Sequence, residues 1–88
     1  MYHRYDTPPT ARQIQILGAI QAAIVATGSP PSLRELCRAI GNRPSKGGLE
    51  SQLAALEVRR LIVREDGVER GIRVTRRGLD ALPREVPP

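Results

Sequence analysis

The sequence predicts a mostly α-helical domain closed by one small β-hairpin, and three observations carry that expectation. Residues 27–43, from Thr27-Gly28-Ser29-Pro30-Pro31-Ser32 to Gly41-Asn42-Arg43, stop one helix, start and stop a second, and aim the chain into a third. Leu49, Leu53 and Leu56 then recur at i, i+4 and i+7, the spacing of a helix with a single apolar stripe. After Arg59-Arg60 the pattern shortens to Leu61-Ile62-Val63-Arg64, a turn at Glu65-Asp66-Gly67, and a return run Gly71-Ile72-Arg73-Val74.

The elements follow in order. Residues 1–9 are polar, end in two prolines and are expected to form a flexible arm. Thr10 with Gln13 three residues on is a capping box that opens a helix over about 11–27. Ile14, Leu17, Gln21, Ile24 and Val25 give it an apolar stripe, widened by Ile16 and Ile20, and Gly28 is its natural stop. Ser29-Pro30-Pro31 forces an extended connection. Ser32 and Glu35 form a second capping box for a short helix over about 33–40, with Leu33, Leu36, Cys37 and Ile40 on its buried face and Gly41 at its end.

Asn42-Arg43-Pro44 is the turn, and Ser45 caps a third helix over about 45–58. Its other side carries Lys46, Gly47, Glu50, Ser51 and Ala54, all small or polar. The two strands that follow are marginal alone and need the helices behind them. Thr75 caps a last short helix, Arg76 to Leu82, before Pro83; the remaining residues are expected to form a disordered tail. The expected organisation is therefore an arm at 1–9, one domain at 10–82 and a tail at 83–88. Three helices followed by a β-hairpin make a winged helix-turn-helix.

Composition narrows the function. A chain of 88 residues is one small domain. With no Phe or Trp, and with Tyr2 and Tyr5 both in the arm, it has little on which to stack exposed bases, which argues against single-strand binding. The net charge of +5 fits a polyanion, although an Arg-rich surface also serves solubility. Nearly all the positive charge is arginine, whose planar fork suits phosphates and guanine edges. A lone Cys37 allows no internal disulfide and reads as a reduced core residue. His3 has no metal-ligand neighbours, so no metal and no cofactor are expected. No Ser-His-Asp or Cys-His set and no phosphate loop is present, so the chain is expected not to be an enzyme and no small-molecule substrate is evident. No membrane span or signal peptide is evident; the expected location is cytoplasmic, on the nucleoid of a prokaryote or phage.

Thr10-Ala11-Arg12-Gln13, Thr27-Gly28-Ser29-Pro30-Pro31-Ser32, Leu53-Ala54-Ala55-Leu56 and Arg70-Gly71-Ile72-Arg73 stand in an ordered set that resembles the N-terminal DNA-binding domain of the LexA repressor family over about residues 10–74. The resemblance implies a sequence-specific regulator of transcription on double-stranded DNA, expected to be a repressor. That family's second half, a Ser/Lys self-cleaving peptidase that also dimerises the repressor, is not in this sequence, so neither property carries over. Pro44-Ser45-Lys46-Gly47-Gly48-Leu49 departs from the family at the start of the recognition helix, so the family's DNA sequence does not transfer. Val74-Thr75-Arg76-Arg77-Gly78-Leu79 also resembles MarR-type winged helices, where a final helix helps form a dimer.

A recognition helix reads base edges from its N-terminal residues. The expected reading set is Ser45, Lys46, Gly47, Glu50, Ser51 and Ala54. Gly47-Gly48 either lets the helix start approach the groove closely or is merely a loose helix start. Phosphate contacts are expected from Thr10, Arg12, Ser32, Arg34, Arg43, Arg70 and Arg73, about half of them in contact, the others being solvated surface groups. Arg4 in the arm either enters a minor groove or stays disordered. Neutralising about five phosphates would give a log K against log salt slope near −4 to −5. A homodimer on two half-sites would have to use Leu79 and Leu82, the arm, or the DNA itself. The competing reading is a protein-interaction module on a winged-helix scaffold that modulates a larger repressor or the transcription machinery.

Overall fold

A computed structural model describes residues 8–41 and 44–83; the arm's first seven residues, Asn42, Arg43 and the last five residues of the tail lie outside them. Four helices and one hairpin follow in the order α1 (Ala11–Thr27), α2 (Leu33–Ala39), α3 (Lys46–Val58), β1 (Ile62–Arg64), β2 (Ile72–Val74) and α4 (Arg76–Ala81).

Each helix begins where a side chain satisfies its free amides. Thr10 and Ser32 both form complete capping boxes, with Gln13 and Glu35 returning the bond to the cap residue's own N–H. Ser45 and Thr75 accept from Gly48 N and Gly78 N at the starts of α3 and α4. Caps of this kind stabilise a helix by about 1 kcal/mol each. The helix ends match the sequence pattern in α1 and α3 and fall one residue early in α2 and α4. Gly28 closes α1 at φ 79° as expected. α2 stops at Ala39, with Ile40 already extended at ψ 131°, because Ile40 turns inward to the core before Gly41 is reached.

The core joins Ile16, Leu17 and Ile20 of α1, Leu36 of α2, Leu49, Leu53 and Leu56 of α3, and Ile62 and Ile72 of the wing. α1 buries the middle of the stripe its periodicity suggested, with Ile24 packed against the core, and departs from it at Val25. Gln13, Ile16, Leu17 and Ile20 are inside, while Val25 is 76% exposed. α1 carries aliphatic residues around most of its circumference, so period alone does not set its rotation. Gln13 lies inside as well, its side-chain oxygen accepting from Thr10 N.

β1 and β2 pair antiparallel with Ile62 opposite Val74, Val63 opposite Arg73 and Arg64 opposite Ile72. Alternation sends Ile62 and Ile72 into the core and leaves Val63 and Arg73 on the solvent face. Gly67 takes φ 74° in the turn, and a Cβ on Gly71 would stand 2.9 Å from Glu65 O, so both glycines are required by the return of the chain. The strands start at Ile62 and Ile72, one residue later than the sequence suggests.

Between α3 and β1, Arg60 adopts φ 60°, a left-handed conformation that costs a non-glycine residue roughly 1 kcal/mol. It is held from α4. Thr75 Oγ1 donates to Arg60 O at 2.7 Å, Thr75 N donates to Leu61 O at 3.1 Å, and Gly78 is buried against the Leu61 carbonyl. Leu82 packs back on α1, where a Cβ on Gly18 would lie 3.8 Å from its Cδ2. Leu82 therefore contributes to the fold itself, while Leu79 is 43% exposed.

Candidate nucleic-acid interface

α3 has one face for the core and one for solvent. Leu49, Leu53 and Leu56 are fully buried; Ser45, Lys46, Gly47, Ser51 and Ala54 are exposed and Glu50 is half-buried. Gly47, Glu50, Ser51 and Ala54 thus share the outward side of α3, whereas Ser45 is its N-cap and Lys46, three residues before Leu49 and seven before Leu53, leaves the helix start on the leucine side, at the cleft between α2 and the wing. The two glycines at its start differ. A Cβ on Gly48 would stand 3.1 Å from Ser45 Oγ, so Gly48 makes room for the cap. A Cβ on Gly47 would meet nothing within 4 Å, so its absence only slims the outward surface.

Glu50 is not a loose surface acid. Arg64 Nη2 and Nη1 donate to its two carboxylate oxygens at 3.2 and 3.3 Å. Arg64 was absent from the expected site, although the strand alternation that puts Ile62 inward also puts Arg64 on the helix side. Lys46 and Arg64 border an open cleft of about 570 Å³ between α2, the start of α3 and the wing, with Arg34 on the α2 side and Glu65 and Glu69 on the wing side.

The expected phosphate contacts are not gathered together. Thr10 and Arg12 sit at the start of α1, where Arg12 Nη1 donates to Gly41 O at 3.0 Å and Gln15 Oε1 at 2.8 Å. Arg12 thereby ties α1 to the end of α2. Ser32 is buried, its hydroxyl accepting from Glu35 N. Arg34 is exposed beside Lys46, and Arg73 is exposed on the outer face of the wing. Arg43 lies outside the described residues.

Arg70 points elsewhere. Its guanidinium donates to both oxygens of Glu35 at 2.6 and 3.0 Å and to Pro30 O at 3.0 Å. Glu35 Oε1 also accepts from Ser32 N at 3.0 Å, so one carboxylate caps α2 and holds the wing. The Arg70 hydrogen bonds, followed by the Ser32 N–H, lower the Glu35 carboxyl from 4.5 to about 2. The same pairing raises the Arg70 pKa. Both side chains are half-exposed, so this tie works by geometry more than by energy.

Among the described residues no group of three His, Cys, Asp or Glu is placed to hold a metal. Among the same residues no helix is long and apolar enough to cross a membrane. Cys37 is half-buried against the core.

A three-helix bundle whose third helix turns a small, polar face outward beside a two-stranded wing defines a winged helix-turn-helix domain. The chain belongs to the LexA DNA binding domain family, whose model it matches over residues 6–71. It is 42% identical over 74 residues to a LexA repressor of Aromatoleum aromaticum, covering 84% of this chain and 36% of that protein. A LexA repressor of Delftia acidovorans is 45% identical over 65 residues, 74% of this chain and 29% of its own length. One of Lactobacillus delbrueckii subsp. bulgaricus is 31% identical over 80 residues, 88% of this chain and 38% of its own. The chain thus spans about a third of the length of these relatives. The family match ends before β2, so β2 and α4 lie beyond it.

Proposed function

We propose that this chain is a sequence-specific double-stranded-DNA-binding domain of a transcriptional repressor, reading the major groove with α3. The observation that carries this is the solvent side of α3. Gly47, Ser51 and Ala54 stand exposed and Glu50 half-buried on a helix whose opposite face is locked into the core, with Ser45 and Lys46 exposed at its start, in a chain of a DNA-binding-domain family. B-DNA's major groove admits one such helix and identifies each base pair by its donors, acceptors and methyl groups. In this reading Lys46 meets a guanine edge, Glu50 accepts from a cytosine amino group, Ser51 donates or accepts, and Ala54 touches a thymine methyl. Arg64 presets the Glu50 carboxylate, and Gly47 lets the helix start come close. Ser45 and the α3 amides receive a phosphate.

Thr10, Arg12, Arg34 and Arg73 are the remaining phosphate candidates. Arg70 acts through Glu35 and Pro30, by holding the wing against the start of α2, and Ser32 acts through the same cap. Repression is supported by the names of the relatives, each a LexA repressor. Two copies on adjacent half-sites complete the reading, with exposed Leu79 the available contact.

Footprinting on a mixed-sequence library tests it. The expected result is protection of a discrete site that survives excess nonspecific duplex. A Lys46→Ala, Glu50→Ala double variant should lose that preference while keeping salt-sensitive binding. Intact preference in the double variant overturns the assignment of the reading face.

A further inference from the structure

At one residue the outward face of α3 is governed by the wing. Gly47, Ser51 and Ala54 are short, so Glu50 is the one outward side chain of the four with orientations to choose among. It stands three residues after Gly47 and four before Ala54, in a row where neither neighbour has the bulk to restrain it. The restraint comes from β1. The Arg64 fork donates to both Glu50 oxygens, Nη2 at 3.2 Å and Nη1 at 3.3 Å. Two parallel bonds set the plane of a carboxylate as well as its place.

Arg64 is itself firmly placed. It lies directly opposite Ile72 in the hairpin and two residues after buried Ile62, and just beyond it Glu65 N donates to Gly71 O at 3.0 Å. A group carried on a strand is held more exactly than one on a loop. Exposure divides the pair's roles. The Arg64 side chain is 23% exposed and that of Glu50 41%. The guanidinium is therefore engaged within the protein, while the carboxylate stays open to an outside donor. A carboxylate has about four acceptor positions, and Arg64 occupies two of them. The pairing also offsets a negative charge that would otherwise face the phosphates.

A carboxylate in the major groove accepts from the amino group of cytosine or adenine and is repelled by the acceptors of guanine and thymine. Adenine sets its N7 acceptor beside its amino group, whereas cytosine presents the amino donor alone. A mobile glutamate can turn away from N7 and still reach adenine; a fixed one cannot. Fixing it beforehand also removes ordering that binding would otherwise have to supply.

We propose that the wing sets base specificity through Arg64, which touches no base and confines Glu50 to a cytosine amino group at one position of the site. Arg64 is in this sense a positioning residue, and its role rests on the duplex-DNA reading above. The wild type selects sites from a randomised duplex library. Its preferred duplex is then compared with every single-base-pair substitute for the wild type, Glu50→Ala, Arg64→Met and Arg64→Met/Glu50→Ala, across a salt series and with thermal unfolding alongside. In the wild type one C·G pair should discriminate by about tenfold or more, and Glu50→Ala should identify it by flattening that position. Arg64→Met keeps the long stem and removes the fork. It should bring discrimination at the same position to within about threefold and leave the other positions as they were. Its log K against log salt slope should stay within about 0.5 of the wild type's. The double variant should lose no more than Glu50→Ala alone, because the two residues act as one.

Wild-type discrimination in Arg64→Met overturns the proposal. So does an equal loss at every position, which would make Arg64 a support of the fold only. A slope lower by roughly 0.9 with the preference intact makes Arg64 a phosphate contact and overturns it as well. A selected site at which Glu50→Ala flattens no position overturns the role of the pair alone. A wild type that selects no site overturns the duplex reading with it.

Discussion

The wing uses its arginines in two ways. Toward the helices, Arg64 and Arg70 each end in a two-point contact with a carboxylate, Glu50 on α3 and Glu35 on α2. On the outer face, Arg73 is exposed, directly across the hairpin from Val63. The first pair orients protein against protein; on the outer face the charge is open to a partner. The same residue type divides in this way because a carboxylate lies within reach on one side of the hairpin, whereas on the other side the nearest strand neighbour is Val63. Net charge, which counts both groups alike, overstates how many cations are available to DNA.

The clasp at the wing's base should be the most sensitive point of this arrangement. Gly78→Ala would drive a Cβ into the Leu61 carbonyl and to within 2.8 Å of Val74 Cγ1. Backbone has to move, so a loss of about 3 kcal/mol is expected in urea unfolding, without a change of slope m. A near-neutral Gly78→Ala would show that α4 does not hold the Arg60–Leu61 backbone in place.

The two uses of arginine separate next in salt dependence. Arg70→Gln should weaken duplex binding several-fold with the log K against log salt slope unchanged, and Glu35→Gln should reproduce it. If Arg70 instead contacts phosphate, its removal lowers the slope by roughly 0.9 and Glu35→Gln strengthens binding. Those two outcomes are opposite in sign for Glu35.

The same tie predicts a pH response. Glu35 is depressed from 4.5 to about 2, so the paired state stabilises the fold fully above pH 4.5 and loses that contribution as pH falls toward 2. A carboxyl-carbon NMR titration should place the Glu35 midpoint near 2 in the wild type and return it toward 4.5 in Arg70→Gln. An unchanged midpoint would mean that the pairing does not persist in solution.

The smallest effect is expected at Gly47. Ala there meets open space, so stability should rise by up to ~1 kcal/mol. Duplex affinity should fall if a slim helix start matters for entering the groove. Unchanged affinity would leave Gly47 as a loose helix start and nothing more.

Much of the fold was legible because its decisive contacts are local. Thr10, Ser32, Ser45 and Thr75 each cap a helix through an amide three residues away, and Gly28 and Gly67 take the left-handed turns their positions imply. The Leu49, Leu53, Leu56 stripe settled which face of α3 is buried, so its outward residues Gly47, Glu50, Ser51 and Ala54 could be named. By contrast, α1 is apolar on too many sides for periodicity to choose its buried face, and Val25 was expected inside. Arg70 was expected at phosphate because nothing near it in sequence suggested Glu35, 35 residues away.

The sequence by itself therefore determined the elements, their caps and the outward side of α3, since these depend on hydrogen bonds and periodicities a few residues long. Only the tertiary structure decided which arginines face carboxylates and which face solvent. That choice depends on where α2, α3 and α4 meet the wing, and pairs of residues 14 to 35 positions apart acquire their distances only when the core has closed.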